Sequence, residues 1–448
     1  MAKQPKKLYV ILLIALLARS VILWASWDQL TELKKDEKDY FRLAEGLLEG
    51  HGFAQSSIDG YVPTSTRPPL YPFFLAFFYR LGGVVLPIVV QVILSVGLIA
   101  AVYFLAARLR SEKVGLLTAL IIAIDPATVA GCHYHLAEIL YSVLLFTATA
   151  VLIWARKKET SYPYLVAGAA MGLATLCRPN TLYIWFWLLP WLLFSLRTSC
   201  GISRFVLYGG GFWLVTGLWY LRNYLVFGCL FFTSISSWNL YTYRAAWVHA
   251  RAEDRPYSQV ADEFRTDIHE ETRNTKNPIQ LQIRLCTQNS RKIFQRYPLH
   301  TAAMVLDGTV RVLLSPSRPL IADLLKLPQG GTGLLGLDGS LVERILKAAE
   351  RTTFTDVVLI LPDLFVFGLL YGGILLLLGF GIAQRRIPFP SGLVLWLALY
   401  LVLTSAGPEA YARFRIPLMP FLAWCSAEGW ILLWNGLKHR LQLQEHTE

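Results

Sequence analysis

Long apolar runs alternate with short polar segments along most of the chain. About ten of these runs are long enough to approach or cross a hydrocarbon core of about 30 Å as helices. They lie near residues 8–26, 83–107, 114–131, 136–155, 162–177, 180–196, 204–221, 355–383, 388–406 and 415–436. The pattern therefore predicts an all-α polytopic membrane protein with about ten transmembrane helices.

Two longer hydrophilic stretches interrupt the apolar pattern. The first covers residues 27–82 and contains an amphipathic helix pattern, and the second covers residues 222–354. Within the second stretch, the segment 294–317 is amphipathic and is predicted to lie along the membrane surface, and the Gly-rich residues 328–340 predict a loop. The expected organisation is an N-terminal transmembrane module over 1–221 with its first outer loop at 27–82, an extracytoplasmic region with interfacial helices over 222–354, and C-terminal transmembrane helices over 355–448.

The charge balance fixes an orientation for these spans. The 448 residues are 55% hydrophobic and 16% charged, with a formal net charge of +12. Excess Lys and Arg in a membrane protein lies in cytoplasmic loops and faces anionic lipid, and no nucleic-acid-binding motif is present. If the basic segments between the spans face the cytoplasm, both termini are cytoplasmic and both hydrophilic stretches lie outside. The short basic loops suit a bacterial plasma (inner) membrane, and nucleic acid is excluded as a partner.

The segment "KKDEKDYFRLAEGLLEGHGF", residues 34–53, follows the first apolar run. Its acidic residues can be explained by helix capping, because Asp36 suits the N-cap position and Asp39 the first turn. Capping explains the cluster about as well as chemistry at the membrane surface does. We therefore expect a surface helix that is capped by Asp36 and also presents this carboxylate to a substrate.

Carboxylates, arginines and histidines near the ends of the predicted spans collect at the outer face. Arginine binds phosphate through paired hydrogen bonds, and a carboxylate can accept a proton from an attacking hydroxyl. A single arginine would more simply anchor a helix end at lipid head groups, so only the joint pattern indicates a site for an anionic substrate with a lipid tail. The residues are Asp36, Glu37, Asp39, Arg67, His133, His135, Glu138, Arg178, Arg222, Glu409, Arg413 and Arg415.

Cys132, His133 and His135 raise the question of a metal site. A metal needs further ligands that the sequence does not place nearby, and an exposed histidine pair in a loop is more often simply solvated. We therefore leave the metal unassigned, with a divalent cation as an open alternative.

Two charged residues fall inside predicted spans. Arg19 and Asp125 both lie close to the middle of the membrane when their runs are built as helices. Because an unpaired charge there is costly, we predict that these two side chains pair with each other.

Several motifs occur in the order seen in GT-C glycosyltransferases, and the chain most resembles the family 39 group of protein O-mannosyltransferases and the lipid A aminoarabinose transferase. The motifs are "DEKDYFRLAEGLLEGHGF", "TRPPLYPFFLAFFY", "GLATLCRPN", "WYLRNYLVFG" and "YARFRIPLMPFLAW". The resemblance is weak across residues 245–355. It implies an inverting enzyme that transfers a sugar from a polyprenyl-phosphate carrier to a lipid, glycan or protein acceptor of the cell envelope, at the outer face of the membrane.

The resemblance also implies roles for individual residues. Asp36 and Glu37 match the family's Asp-Glu pair in the first outer loop, which makes this the catalytic loop, and Glu138 falls where the family has a second acidic residue. Arg67 and Arg178 fall where the aminoarabinose branch has phosphate-contacting lysines. The resemblance and the outer-face pattern together give the expected site: Asp36, Glu37 and Glu138 as the catalytic group; Arg67, Arg178, Arg222, Arg413 and Arg415 on the donor phosphate; and Asp39, Tyr40, Tyr61, His133 and His135 on the acceptor or sugar.

The sequence departs from the aminoarabinose branch in two places. That branch has Glu-Lys-Pro-Pro where this chain has "TRPP" at residues 66–69, so a metal-ligating glutamate is missing, and it has an arginine where this chain has Asp39. Aminoarabinose is therefore not the expected sugar.

Other functions remain open at this stage. A transporter or flippase for a lipid-linked sugar would share the apolar spans and a basic phosphate site, but its site should lie near the midplane, where only Arg19 and Asp125 support it. A non-catalytic envelope partner and a phosphotransferase are further alternatives. The sugar, the acceptor, the length of the carrier and the oligomeric state do not follow from the sequence.

Overall fold

The structure is a computed structural model that describes residues 6–445 except 58–59, 159, 195–200, 274, 276, 329–352, 386 and 388. The loop predicted at 328–340 lies outside the described residues apart from its first position. Helices form about 80% of the structure, and strands form almost none of it.

The N-terminal half contains eleven described helices, a β-hairpin and two short 3-10 segments. The helices are α1 (Lys6–Ala25), α2 (Lys35–Leu48), α3 (Leu70–Gly82), α4 (Leu86–Leu109), α5 (Glu112–Ile124), α6 (Pro126–Gly131), α7 (Glu138–Arg156), α8 (Tyr162–Cys177), α9 (Ile184–Trp187), α10 (Leu189–Phe194) and α11 (Gly201–Phe227). The 3-10 segments are Trp27–Gln29 and Pro179–Thr181. The hairpin pairs β1 (Ala54–Ser57) with β2 (Gly60–Pro63) in antiparallel register, Ala54 opposite Pro63.

The C-terminal half begins with short helices and ends with long apolar ones. Its described helices are α12 (Ser234–Asn239), α13 (Ala246–Ala252), α14 (Tyr257–Arg273), α15 (Pro278–Arg296), α16 (Pro298–Leu314), α17 (Arg318–Leu324), α18 (Phe354–Ala383), α19 (Ser391–Ser405) and α20 (Met419–Glu445). A π-helical segment, Leu240–Ala245, joins α12 to α13, and a 3-10 segment, Ala412–Leu418, leads into α20. We call α12 to α15, residues 234–296, the helical subdomain.

Five described helices are long and apolar enough to cross a membrane, by length and composition: α1, α4, α7, α18 and the segment Ala412–Lys438. Helices α8 and α19 are shorter and also apolar. All of these helices coincide with predicted apolar runs. The prediction of an all-α polytopic membrane protein is confirmed.

Two of the predicted apolar runs are interrupted in the structure. The run 114–131 breaks where the Asp125 side chain accepts a hydrogen bond from Thr128 N at 2.8 Å and so begins a new helix. Pro126, which has no N–H to donate, occupies the first position of that helix. The run 180–196 divides into a 3-10 turn and the short helices α9 and α10. Neither run forms one continuous helix.

The predicted pairing of Arg19 with Asp125 is not seen among the described ion pairs. Arg19 instead donates to Ser95 Oγ at 2.9 Å and to the backbone oxygens of Ala15 and Ala123. The Asp125 carboxylate is used by the helix cap at Thr128. Backbone and hydroxyl groups on α1, α4 and α5 therefore bind Arg19 in place of the expected ion pair.

The transmembrane helices pack into one large apolar core. Helix α8 lies against α7 and α11, and α20 lies against α5 and α18. The α8–α11 approach depends on Gly168 and Gly211, because a Cβ at either position would overlap backbone atoms of the facing helix. This close packing holds α8 in place, and the C-terminal end of α8 reaches the candidate site.

The first loop, residues 27–82, folds onto the ends of these helices. Tyr40, Leu43 and Ala44 form the buried stripe of α2, which packs against α3. The predicted N-cap at Asp36 is wrong: the N-cap is Lys34, because the Glu37 carboxylate accepts the Lys34 N–H at 2.9 Å and begins the helix earlier. Asp36 therefore lies in the first turn, with its carboxylate available for other partners.

The helical subdomain has a small core of its own. The rings of Tyr241 and Phe264 stack with centroids 4.4 Å apart, and Ala245, Val260 and Cys286 are buried beside them. Its π-helical segment brings Arg244 to the edge of the cavity described below.

Candidate active site

A cavity of about 1110 Å³ lies between the first loop, the ends of α7 and α8, the 412–418 segment and the helical subdomain. Its walls combine charged groups with aromatic rings. The polar part is formed by Asp36, Glu37, Asp39, Arg67, Glu138, Arg178, Asn180, Arg244, Glu409 and Arg413, and the rings include Tyr40, Tyr183, Trp238, Tyr411 and Phe414. A space of this size accommodates a sugar and a phosphate.

Three carboxylates and three arginines form one alternating network in this cavity. Arg67 Nη2 lies 3.0 Å from Asp39 Oδ2 and 2.8 Å from Asp36 Oδ1. Arg413 Nη2 lies 2.5 Å from the second oxygen of Asp36. Glu138 Oε1 lies 3.5 Å from Arg413 Nε and 2.6 Å from Arg178 Nη1. We call these six side chains, which carry no net charge together, the charge network.

The network brings together residues that the sequence places far apart. Asp36 and Asp39 come from α2, Arg67 from the turn before α3, and Glu138 from the first turn of α7. Arg178 follows the end of α8, and Arg413 lies in the 3-10 segment before α20. All six were predicted as site residues from the sequence.

Asp36 stands at the centre of the network. Burial alone would raise its pKa, but the guanidinium groups of Arg413 and Arg67 outweigh burial and lower the pKa below its ordinary value. The carboxylate is therefore ionised at neutral pH and is a weak base for as long as both arginines hold it. A ligand that drew the arginines away would restore its basicity.

Glu37 lies beside Asp36 but has a different environment. Its side chain is buried, and its two oxygens accept backbone N–H groups, from Lys34 at 2.9 Å and from His135 at 2.7 Å. Burial raises the pKa of Glu37 although these hydrogen bonds oppose the shift. A raised pKa suits a general base, but a base must first reach the substrate, and both oxygens here are engaged by backbone.

We expect Glu37→Gln to lower stability more than catalysis. One carboxylate oxygen would become an NH₂ group facing a backbone N–H, so about 2 kcal/mol of stability should be lost. The thermal midpoint of the purified variant should fall, while the turnover number of folded protein stays within a few-fold of wild type. Loss of turnover without loss of stability would give Glu37 a chemical role.

Five other residues predicted for the site lie outside the cavity wall. Arg222 donates to the backbone oxygens of Thr64 and Phe53 and so fastens the first loop to α11. Arg415 is fully buried and pairs with Asp363 at 3.3 Å. Tyr61 lies on the exposed hairpin, and its hydroxyl donates to Glu49 at the end of α2.

His133 and His135 were predicted to contact the acceptor or sugar, with simple solvation as the alternative to a metal site, and the structure shows that both are buried. A ring nitrogen of His133 lies 2.9 Å from Arg19 O, and His135 lies 3.1 Å from both Tyr79 Oη and Leu30 O. These contacts tie the loop before α7 to α1 and the first loop, which accounts for the burial. In the described part of the chain, no cluster of three or more His, Cys, Asp or Glu residues could hold a metal ion.

Two ion pairs at the cavity edge were not predicted. Arg244 Nε lies 3.0 Å from Glu409 Oε1 and joins the helical subdomain to the segment after α19. Lys34 pairs with Asp323 of α17. The Asp323 carboxylate also accepts a hydrogen bond from the Tyr134 hydroxyl at 2.9 Å. The sequence singled out Glu409, but Arg244 lies in the region of weak resemblance, and the π-helical turn that directs it has no pattern in the sequence.

The sequence was also compared with known families and proteins. The model of the family described as dolichyl-phosphate-mannose-protein mannosyltransferase matches residues 66–219, about a third of the chain. This match includes Arg67, Glu138 and Arg178 of the charge network. No curated protein sequence matches the chain.

Solved structures show a broader likeness. The archaeal oligosaccharyltransferase AglB from Archaeoglobus fulgidus, in complex with an inhibitory peptide and a dolichol-phosphate, aligns with a TM-score of 0.57 and 17% identity over 98% of this chain and 52% of its own. Its apo form aligns with a TM-score of 0.54 and 16% identity, over 99% and 52%. ArnT from Cupriavidus metallidurans bound to undecaprenyl phosphate covers 92% and 77% at 13% identity, but its TM-score of 0.36 is too low to support a comparison.

The chain therefore spans about half the length of the archaeal enzyme whose fold it shares. At these identities the alignment concerns the fold alone. The family match over residues 66–219 and the fold shared with the archaeal oligosaccharyltransferase support the resemblance expected from the sequence: this chain is a multi-pass membrane protein with the fold of that archaeal enzyme.

Proposed function

We propose that this protein is an inverting glycosyltransferase that moves a sugar from a polyprenyl-phosphate-linked donor to an acceptor hydroxyl. The observation that carries the proposal is the charge network, because it places a carboxylate between two arginines on the wall of a cavity large enough for a sugar phosphate. The archaeal protein with the same fold was solved with dolichol-phosphate, a lipid of the proposed class.

The proposed reaction needs a base and a site for the leaving phosphate. Asp36 accepts the proton of the acceptor hydroxyl as its oxygen attacks the anomeric carbon of the sugar. The bond between that carbon and the phosphate oxygen breaks, and the bonding electrons leave with the polyprenyl phosphate. Arg67, Arg178 and Arg413 stabilise the charge that develops on this phosphate.

Donor binding would also prepare the base. A donor phosphate competes with Asp36 for Arg67 and Arg413, which both lie within hydrogen-bond distance of the carboxylate. As these contacts pass to the phosphate, the influence that lowers the pKa of Asp36 weakens, and the carboxylate becomes a better base. Proton transfer is thereby linked to the presence of the donor.

The proposed setting is a bacterial plasma membrane with both chain termini in the cytoplasm and the cavity at the outer face. The acceptor is then a lipid, glycan or protein of the envelope. The transporter alternative depended on Arg19 and Asp125. Both side chains make structural contacts, Arg19 with Ser95 and Ala123 and Asp125 with Thr128, so they give the transporter alternative no specific support.

The direct test is transfer of a labelled sugar by the purified protein in lipid nanodiscs, with a panel of polyprenyl-phosphate sugars and acceptor extracts. We expect transfer from at least one donor, with the opposite anomeric configuration in the product. Movement of a fluorescent donor between leaflets without sugar transfer would favour the transporter. Transfer with retained configuration would exclude the single-displacement mechanism.

A further inference from the structure

Each arginine of the charge network lies over the face of an aromatic ring. The guanidinium carbon of Arg67 is 5.1 Å from the centroid of Tyr40, and that of Arg413 is 5.1 Å from Tyr411. The Phe414 ring contacts two arginines: the guanidinium carbon of Arg178 lies 5.0 Å from its centroid and that of Arg413 lies 5.4 Å away. Such distances permit cation–π attraction.

Among the aromatic rings that contact these arginines, Phe414 contacts two of them and has no role in the proposed sugar transfer itself. It has no polar group, yet it lines the cavity and is partly exposed there. The Phe414 ring packs edge-to-face with Tyr411, with centroids 5.8 Å apart, and this contact restrains the orientation of the ring. A leucine would fill similar apolar volume but would offer no negative ring face to either guanidinium.

The two cations need such a support because they repel each other. Glu138 lies between Arg178 and Arg413, but one oxygen makes both contacts, at 2.6 Å and 3.5 Å. The shared oxygen leaves the Arg178 guanidinium able to rotate about its contact, and Arg413 is held in addition by Asp36. A ring face, in contrast, restrains the plane of a guanidinium as a whole. Glu138 and Phe414 therefore restrain different motions of the same pair.

We propose that Phe414 is a positioning residue for the donor phosphate, because its ring holds Arg178 and Arg413 together in the orientation that an incoming phosphate meets. This inference rests on the proposed function for the identity of the ligand. Phe414 touches no reacting atom and acts through the two arginines.

The first experiment measures binding of undecaprenyl phosphate to the protein in nanodiscs. We expect Phe414→Leu to weaken binding about tenfold, the effect of losing two cation–π contacts, and Phe414→Tyr to stay within about twofold of wild type. In the transfer assay, Phe414→Leu should raise the donor KM more than it lowers kcat. The matched control is Phe41→Leu, since Phe41 is a half-buried ring that packs against Tyr79 away from the cavity wall.

A second measurement is independent of any ligand. Thermal midpoints of Phe414→Leu, Arg178→Met and the double variant form a double-mutant cycle, in which contact between the two residues predicts that the effects do not add. Additive effects would overturn the inference, and so would phosphate binding that Phe414→Leu leaves unchanged.

The outcomes also separate this inference from the proposed function. Weaker phosphate binding in Phe414→Leu, with no sugar transfer by wild type, would sustain the positioning role and reject the transferase. If wild type transfers sugar and Phe414→Leu has the same kinetics, the transferase function is supported and the positioning role of Phe414 is rejected. Absence of phosphate binding by wild type would reject the positioning role.

Discussion

Asp36→Asn is expected to lower the kcat for sugar transfer by about a thousandfold, because a positioned general base contributes about 10²–10⁴ to a rate. The amide cannot accept the hydroxyl proton. It also releases Arg67 and Arg413 from their ion pairs, so donor binding should be unchanged or tighter. The diagnostic result is a large loss of kcat without a rise in the donor KM.

The control is Asp262→Asn, since Asp262 is an exposed carboxylate that also pairs with an arginine, Arg265, at 2.7 Å. This variant should retain full turnover. Full turnover in Asp36→Asn would remove Asp36 as the base and make Glu138 the next carboxylate to test. A fall in kcat with a parallel loss of donor binding would indicate that Asp36 organises the arginines and does not take the proton.

Arg415→Met is expected to cause the largest loss of stability, about 3–5 kcal/mol, because it removes one partner of a buried ion pair. Arg415 and Asp363 are both fully buried, and Arg415 also donates to the backbone oxygens of Leu313 and Ser315. Of the hydrogen bonds to Asp363 in the described part of the chain, the variant would leave those from Ser317. The thermal midpoint in detergent should fall by many degrees, and expression should fall with it.

The exposed pair again supplies the control. Arg265→Met removes an arginine of similar size from the surface, where an ion pair contributes about 0–1 kcal/mol. Its midpoint should stay close to that of wild type. An Arg415→Met protein of normal stability that failed to transfer sugar would place Arg415 in the donor site, as the sequence had suggested.

The helices could be predicted because the signals for them are local. A long apolar run requires a helix in the membrane whatever its neighbours are, and α4, α7 and α18 follow this rule. The hairpin and the break at Asp125 were missed because they depend on single capping and turn residues inside longer patterns.

The members of the charge network could be predicted by residue type and position, but their partners could not. The motif "YARFRIP" contains two arginines two positions apart, and only the 3-10 turn decides that Arg413 faces the cavity while Arg415 faces Asp363. The histidines near α7 were expected at the surface because the sequence does not show that α1 and the first loop cover them. Long-range packing determines both outcomes.

The bond between Asp36 and Arg413 joins residues 377 positions apart. At a synthesis rate of about 5–20 residues per second, the acidic loop leaves the ribosome roughly 20 to 75 seconds before its second arginine is made. Of the two arginines that pair with Asp36, Arg67 has been made during that interval and Arg413 has not. A nascent or prematurely ended chain therefore lacks Arg413, and the charge network is complete only when the segment before the last helix has been made.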